Sequence, residues 1–164
     1  MNEMTIPTKQ ECLKLLNKNK TPFKIIKHTK TVCKIAEDIA DKLIRKGVKL
    51  NKRLVVAAAL LHDIEKAKPR HVVKGTMLLK KLGYPEVADV IKKHSLYKLG
   101  QKNRRPNTFE EKIVFYADKR AKGNKIVSLE KRFKALEKHY KVNLSKELIF
   151  TKKIEKGLLG NEKL

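Results

Sequence analysis

The chain has 164 residues, enough to bury one core, and carries 41 Lys and Arg against 17 Asp and Glu, a formal net charge of +24. It has no run approaching the ~20 apolar residues of a membrane span and no apolar signal-peptide core. Its two cysteines, Cys12 and Cys33, form no CxxC pair, which argues against a disulfide framework and predicts that both face the core. We therefore expect one cytoplasmic domain over residues 1–164, with its lysines scattered over a solvated surface.

The apolar spacing is helical along the whole chain, and no segment alternates with the period of a strand. The helix between Thr21-Pro22 and Gly47 is predicted to use Thr21 as its N-cap, and the sixth helix is predicted to stop at Gly123. The predicted helical segments lie at about residues 7–17, 22–46, 51–63, 71–82, 85–94, 108–122, 128–140 and 145–158. This pattern predicts an all-α fold, a bundle of about seven helices.

The pair His62-Asp63 directly follows an apolar run, residues 54–61, whose side chains are apolar on every face of the predicted helix. Such a helix is expected to be central and buried. A buried carboxylate costs several kcal/mol unless its charge is compensated, and a metal ion is the simplest compensation. The pair therefore predicts the start of a metal site.

Other residues with metal-binding side chains lie at helix ends or on apolar helix faces. With the pair they make six candidate ligands: His28, His62, Asp63, His71, His94 and Asp118. Each taken singly has an ordinary structural alternative, such as a hydrogen-bonded core histidine or a capping carboxylate. Together they suit Fe, Mn, Co, Ni or Zn, and six exceed what one ion needs if positions stay open for water and substrate. We expect two divalent ions, and we place the fifth histidine, His139, at the surface.

The order of these residues resembles the HD-domain superfamily of metal-dependent phosphohydrolases. LLHDIEK at residues 60–66 is similar to the family's LLHDIxK segment, and VFYADK at 114–119 is similar to its (V/Y)(F/L)ADK segment. The stretch from His71 to His94 resembles the part between the family's third and fourth histidines. The resemblance covers about residues 25–160, and its last part is similar to HD domains fused to molybdenum-cofactor nucleotidyltransferase-like proteins.

The resemblance implies an HD-domain helical bundle and a metal-dependent phosphohydrolase. By position, four residues match the core ligands and two match the extra pair of subgroups with two metals. The core set is His28, His62, Asp63 and Asp118, and the extra pair is His71 and His94. A subgroup that hydrolyses diadenosine tetraphosphate has a similar layout, but the gap between Asp63 and His71 is shorter here, so that substrate does not carry over.

In the expected mechanism two metals activate a water and clamp the phosphoryl oxygens of an anionic phosphorylated small molecule, such as a nucleotide. Asp63 would bridge the metals, and Asp118 would ligate one and accept a proton from the water. Lys66 is a candidate phosphate contact, with a merely solvated lysine as the alternative. Arg104 and Arg105 are candidate phosphate contacts or lid residues. Lys119 and Arg120 are weaker phosphate candidates, with packing or an ion pair as the alternative role of this segment.

Two other functions remain open at this point. The same six ligands also suit a di-iron oxygenase of the HD type. The second alternative, from a different class of protein, is a metal-stabilised nucleotide- or RNA-binding module with little turnover, which the high positive charge supports. Nucleic acid is the less favoured partner because five Phe, four Tyr and no Trp offer little material for base stacking. The sequence does not predict the oligomeric state.

Overall fold

The computed structural model describes residues 5–164, and eight α-helices form most of that part of the chain. The helices are α1 (Lys9–Lys18), α2 (Phe23–Arg45), α3 (Lys52–Leu61), α4 (His71–Lys81), α5 (Pro85–Ile91), α6 (Phe109–Lys119), α7 (Leu129–Tyr140) and α8 (Ser145–Leu159). A 3₁₀ turn covers Lys102–Arg104, within the segment predicted to be a loop. The all-α prediction is confirmed: the eight helices lie at the eight predicted helical segments, where a bundle of about seven was expected.

Helix α3 lies at the centre of the bundle, as its apolar sequence predicts. Every residue from Val55 to Leu61 is buried, and α3 packs against α1, α2, α5 and α6. The small side chains of residues 57–59 let these neighbours approach closely. Helix α3 therefore ends in the interior of the protein, and the next two residues, His62 and Asp63, are both buried.

The predicted capping role of Thr21 is wrong, because α2 begins one residue later with Pro22 as its N-cap. The hydroxyl of Thr21 instead donates to the backbone carbonyl of Ile64, at 3.2 Å. The side-chain amide of Asn19 donates to the same carbonyl, at 3.0 Å. Because Ile64 directly follows Asp63 and is buried, its carbonyl needs such partners. These two hydrogen bonds from Asn19 and Thr21 thus stabilise the turn that contains the His-Asp pair.

The end of α6 also differs from the prediction. The helix stops at Lys119, and two-residue strands β1 (Ala121–Lys122) and β2 (Lys125–Ile126) pair antiparallel behind it. Gly123, with a φ of +58°, lies in the turn of this hairpin rather than at a helix end. The side chain of Arg120 donates to the carbonyl of Val127, at 2.6 Å, and so holds the hairpin against α6. Two residues per strand are too few to produce a readable alternation in the sequence.

Both cysteines are buried and free, as expected, and burial raises the pKa of each thiol to about 12. Among residues 5–164, no helix combines the length and the apolar character needed to cross a membrane.

Candidate metal centre

The six side chains predicted as ligands come together in two groups that share one residue. The first group is His28, His62, Asp63 and Asp118, and the second is Asp63, His71 and His94. Within each group, one potential ligand atom of every member lies within 4.8 Å of those of the others. The shared residue is Asp63, which was predicted to bridge two ions.

The two oxygens of Asp63 face different groups. Its Oδ2 lies 3.5 Å from Nε2 of His62 and 3.8 Å from Nε2 of His28. Its Oδ1 lies 3.4 Å from Nε2 of His94 and 3.7 Å from Nε2 of His71. On the far side of the first group, Oδ1 of Asp118 lies 3.0 Å from Nε2 of His28. Asp63 therefore has the orientation of a carboxylate that gives one oxygen to each of two sites.

Three of the histidines are oriented by backbone carbonyls. Their Nδ1 atoms contact these carbonyl oxygens: His62 with Ala59 (2.7 Å), His94 with Ile91 (2.6 Å) and His28 with Gly123 (3.3 Å). A carbonyl only accepts, so these contacts assign the ring proton to Nδ1 in the neutral imidazole and leave Nε2 free to bind a cation. Each Nε2 points toward a carboxylate of the centre.

The residues fit a divalent metal. Among the residues that the structure describes, Nε2 of His62 and Oδ1 of Asp63 are buried and have no hydrogen-bond partner. Buried polar atoms normally have one, and one of these two atoms lies in each group. Cations bound by the two groups would satisfy both atoms. Imidazole nitrogen with carboxylate oxygen is a donor set typical of Fe, Mn, Co, Ni and Zn.

Comparison with known proteins now identifies the family. The family model described as the HD domain matches residues 25–123, a range that includes all six candidate ligands. The chain belongs to the HD-domain family. No solved structure matches it.

This HD domain is also similar to longer proteins. A tRNA (cytidine(56)-2'-O)-methyltransferase of Picrophilus torridus is 31% identical over 167 residues, which cover 93% of this chain and 47% of that protein. The protein of the same name from Thermoplasma volcanium is 35% identical over 139 residues, covering 76% of this chain and 40% of that protein. The chain thus spans about half or less of the length of these relatives. An uncharacterized protein of Methanocaldococcus jannaschii is 31% identical over 135 residues, covering 74% of this chain and 80% of that protein.

Both carboxylates of the HD domain's centre stay charged. Burial alone would raise their pKa, but the positive charge of His62 beside Asp63 holds the pKa of that carboxyl well below its usual range. Burial acts the same way on Asp118, where the ammonium of Lys119 is the main opposing influence and the pKa is again well below the usual range. Two anionic candidate ligands are therefore present at any physiological pH.

The histidines differ from one another in their protonation. Burial opposes the charging of His62, but the two carboxylates outweigh it and raise its pKa to about 10. Burial and the charge of Lys66 lower the pKa of His71 to about 4, and burial lowers the pKa of His94. The second group therefore contains neutral imidazoles, which is the form that binds a metal.

Lys119 belongs to the site through an ion pair, which was the alternative to its predicted phosphate contact. It was a weak candidate for binding phosphate, yet its side chain points inward and the residue is only 3% exposed. Its Nζ donates to Oδ2 of Asp118, at 2.5 Å, and to the carbonyl of His94, at 2.8 Å. One buried cation thus links the first group to the second.

The remaining candidates lie at different distances from the centre. The side chain of Lys66 is 40% exposed, and its Nζ lies 4.0 Å from Oδ1 of Asp63 and 3.5 Å from Nε2 of His71. The guanidinium of Arg105 is bonded within its own loop, to the carbonyls of Leu99 and Gly100.

Three further predicted side chains lie outside the two groups. Arg104 is half-buried in the 3₁₀ turn. Arg120 donates to the hydroxyl of Tyr116, at 2.6 Å, in addition to its contact with the hairpin. His139 is exposed on α7, as predicted.

Proposed function

We propose that this HD domain is a metal-dependent phosphohydrolase whose site holds two divalent ions. The observation that supports it most is the orientation of Asp63, with one oxygen toward each of two histidine-containing groups. Membership of the HD-domain family supports the same proposal, because that fold is of the metal-dependent phosphohydrolase type. The substrate is an anionic phosphate compound, which the net charge of +24 would attract without specifying it.

When bound, two divalent ions would neutralise a phosphoryl group and lower the pKa of a water molecule. The chain itself supplies the positions. Asp63 keeps the two groups at a fixed separation, and its low pKa prevents protons from competing for its oxygens. The low pKa of Asp118 likewise makes it a persistent ligand, and also a weak proton acceptor. The partly exposed Nζ of Lys66, beside Asp63, is placed to bind a phosphoryl oxygen that enters from solvent.

A second candidate function is RNA recognition, with RNA or a fragment of RNA as the phosphate compound. Two relatives that align with most of this chain are named as methyltransferases of tRNA. Because the chain spans about half or less of each, methyl transfer is not proposed for it. A polyanion also suits the excess of 41 basic over 17 acidic residues.

The test pairs metal content with hydrolysis in three variants of the full chain. We expect His62→Ala and Asp63→Ala to lose bound metal and hydrolysis together, whereas His139→Ala, at the exposed histidine, keeps both. Metal is measured by elemental analysis, and activity on nucleotides, dinucleotides, cyclic phosphodiesters and short RNAs. Full metal content and activity in either of the first two variants would show that the site is elsewhere. Oxygen uptake by the iron-loaded protein without phosphate release would point to the di-iron oxygenase instead.

A further inference from the structure

The basic residues are distributed unevenly along the chain. Five stretches of eleven or more residues contain no Asp or Glu, and they hold seven, six, six, six and four Lys or Arg, respectively: residues 12–36, 42–62, 66–85, 90–109 and 119–129. Together they carry 29 of the 41 basic residues and none of the 17 acidic ones. Four of them contain His28, His62, His71 and His94, respectively, and the fifth begins directly after Asp118. Each acid-free stretch is therefore attached to a ligand.

Because the candidate ligands converge, the parts of these stretches that lie next to a ligand converge too. The hairpin that contains Lys125 contacts the ring of His28 through the carbonyl of Gly123. Lys66 lies beside His71, and Lys27 is the neighbour of His28. These three lysines are exposed, whereas both carboxylates of the centre are buried. These three lysines make the exposed side of the metal centre, which we call its rim, positive.

Two exposed aromatic rings lie in the same stretches. Phe23, at the start of α2, is 71% exposed, and the Nζ of Lys27 lies 4.8 Å from its ring centroid. Tyr97, three residues after His94, is 66% exposed, and the Nζ of Lys98 lies 5.2 Å from its ring centroid. A nucleic-acid base can stack on the solvent-exposed face of such a ring while the phosphate of the same nucleotide binds the nearby lysine.

We propose that single-stranded RNA lies across this rim, with bases stacked on Phe23 and Tyr97 and phosphates bound by Lys27 and Lys98. The proposal rests on the proposed function in one respect, since the strand would bring its phosphodiester to the centre beside Lys66. A strand fits better than a single nucleotide because the exposed cations belong to several separate stretches of the chain, each attached to a candidate ligand. Aromatic residues are few in this chain, yet its two most exposed Phe and Tyr residues lie in the stretches that contain His28 and His94.

The aromatic contribution is tested with the full chain in EDTA, so that no strand is cleaved. The probes are a fluorescein-labelled oligoadenylate of about 12 nucleotides and an abasic strand of equal length, followed by anisotropy. We expect Phe23→Ala and Tyr97→Ala to weaken oligoadenylate binding by about tenfold each and to leave the abasic strand unaffected. Tyr140→Ala is the matched control, because Tyr140 is 58% exposed but lies at the end of α7, and it should change neither affinity.

The lysines are tested through the salt dependence of binding. Lys27→Gln and Lys98→Gln should weaken both probes and make the slope of log K against log salt shallower by about 0.7 each, the value for one phosphate contact to a single strand. Lys138→Gln, at an exposed lysine on α7, should leave the slope unchanged.

Three results would refute the proposed RNA-binding surface. They are no oligoadenylate binding at about 50 mM salt, wild-type affinity in both aromatic variants, or an equal loss of affinity in Tyr140→Ala. The outcome for the hydrolase is separate. Strand binding that depends on Phe23 and Tyr97, without hydrolysis of any phosphoester, would keep the surface and refute the proposed function. Metal-dependent hydrolysis of small phosphoesters without strand binding would do the reverse.

Discussion

Replacement of the buried Lys119 by Met should destabilise the metal-free protein strongly. The substitution keeps most of the side-chain volume and removes the ammonium that contacts Asp118 at 2.5 Å. Because Lys119 is 3% and Asp118 7% exposed, water cannot replace the lost partner. Asp118 then keeps only the imidazoles of His28 and His62 as partners, and the carbonyl of His94 also loses a donor.

The expected size of the effect follows from this geometry. Removal of one partner from a buried ion pair costs about 3–5 kcal/mol, whereas an exposed pair is worth about 1 kcal/mol or less. A domain of this kind has a total free energy of unfolding of about 5–15 kcal/mol, so the metal-free variant should lose a large share of it. Bound metal should reduce the loss of stability, because a cation on Asp118 would compensate the negative charge that Lys119 no longer neutralises.

Urea unfolding of EDTA-treated and metal-loaded protein measures both effects. A double-mutant cycle with Asp118→Asn separates the ion pair from packing: in the Asp118→Asn background no carboxylate is left unpaired, so Lys119→Met should cost much less. A loss below about 1 kcal/mol in the metal-free chain would refute this reasoning. An equal loss in both backgrounds would show that Lys119 acts by packing alone.

Two more predictions concern the metals directly. His71→Ala should reduce the metal content from two ions to one per chain, since the first group stays complete; elemental analysis that still finds two ions would contradict the assignment of His71. Because the pKa of His62 is raised to about 10, its imidazole is charged at neutral pH in the metal-free protein, and metal uptake must displace that proton. Metal affinity should therefore rise with pH up to about 10. The charged His62 should also stabilise the metal-free fold, and this contribution should be complete below about pH 6.5 and be lost as the pH rises toward 10. Imidazole NMR in EDTA should show His62 titrating near 10 and His71 near 4, and ordinary values for both would refute the prediction.

The sequence predicted the site better than it predicted what supports the site. Helical spacing predicted that His28 and Asp118 lie on inward helix faces, and the resemblance to the HD-domain family implied that they meet at His62 and Asp63. The inward lysine at 119 did not follow from helical spacing. A lysine next to a ligand is as readily a solvated residue, and only the packing of α6 shows that its ammonium lies between Asp118 and the carbonyl of His94.

The local errors have a common physical origin. Thr21 has the side chain of an N-cap, but a buried carbonyl at Ile64, 43 positions along the chain, takes its hydroxyl instead. Gly123 has the freedom of a helix stop, but the hairpin uses that freedom for its turn. In both cases a long-range partner overrides a local preference, and local patterns contain no information about it. That residues 1–164 act as one domain stays a prediction.

The position of the His-Asp pair at the end of an apolar helix now has a physical explanation. The last carbonyls of a helix have no partner within the helix, and Ala59 in α3 and Ile91 in α5 are among them. His62 and His94 satisfy these carbonyls through Nδ1, so that the same contact that completes each helix end also aims Nε2 at Asp63. The negative ends of both helix dipoles lie next to the centre as well, where they favour a bound cation. A histidine moved one turn into either helix would meet a carbonyl that is already bonded within the helix and would lie farther from the dipole end, which accounts for the pair following the apolar run rather than interrupting it.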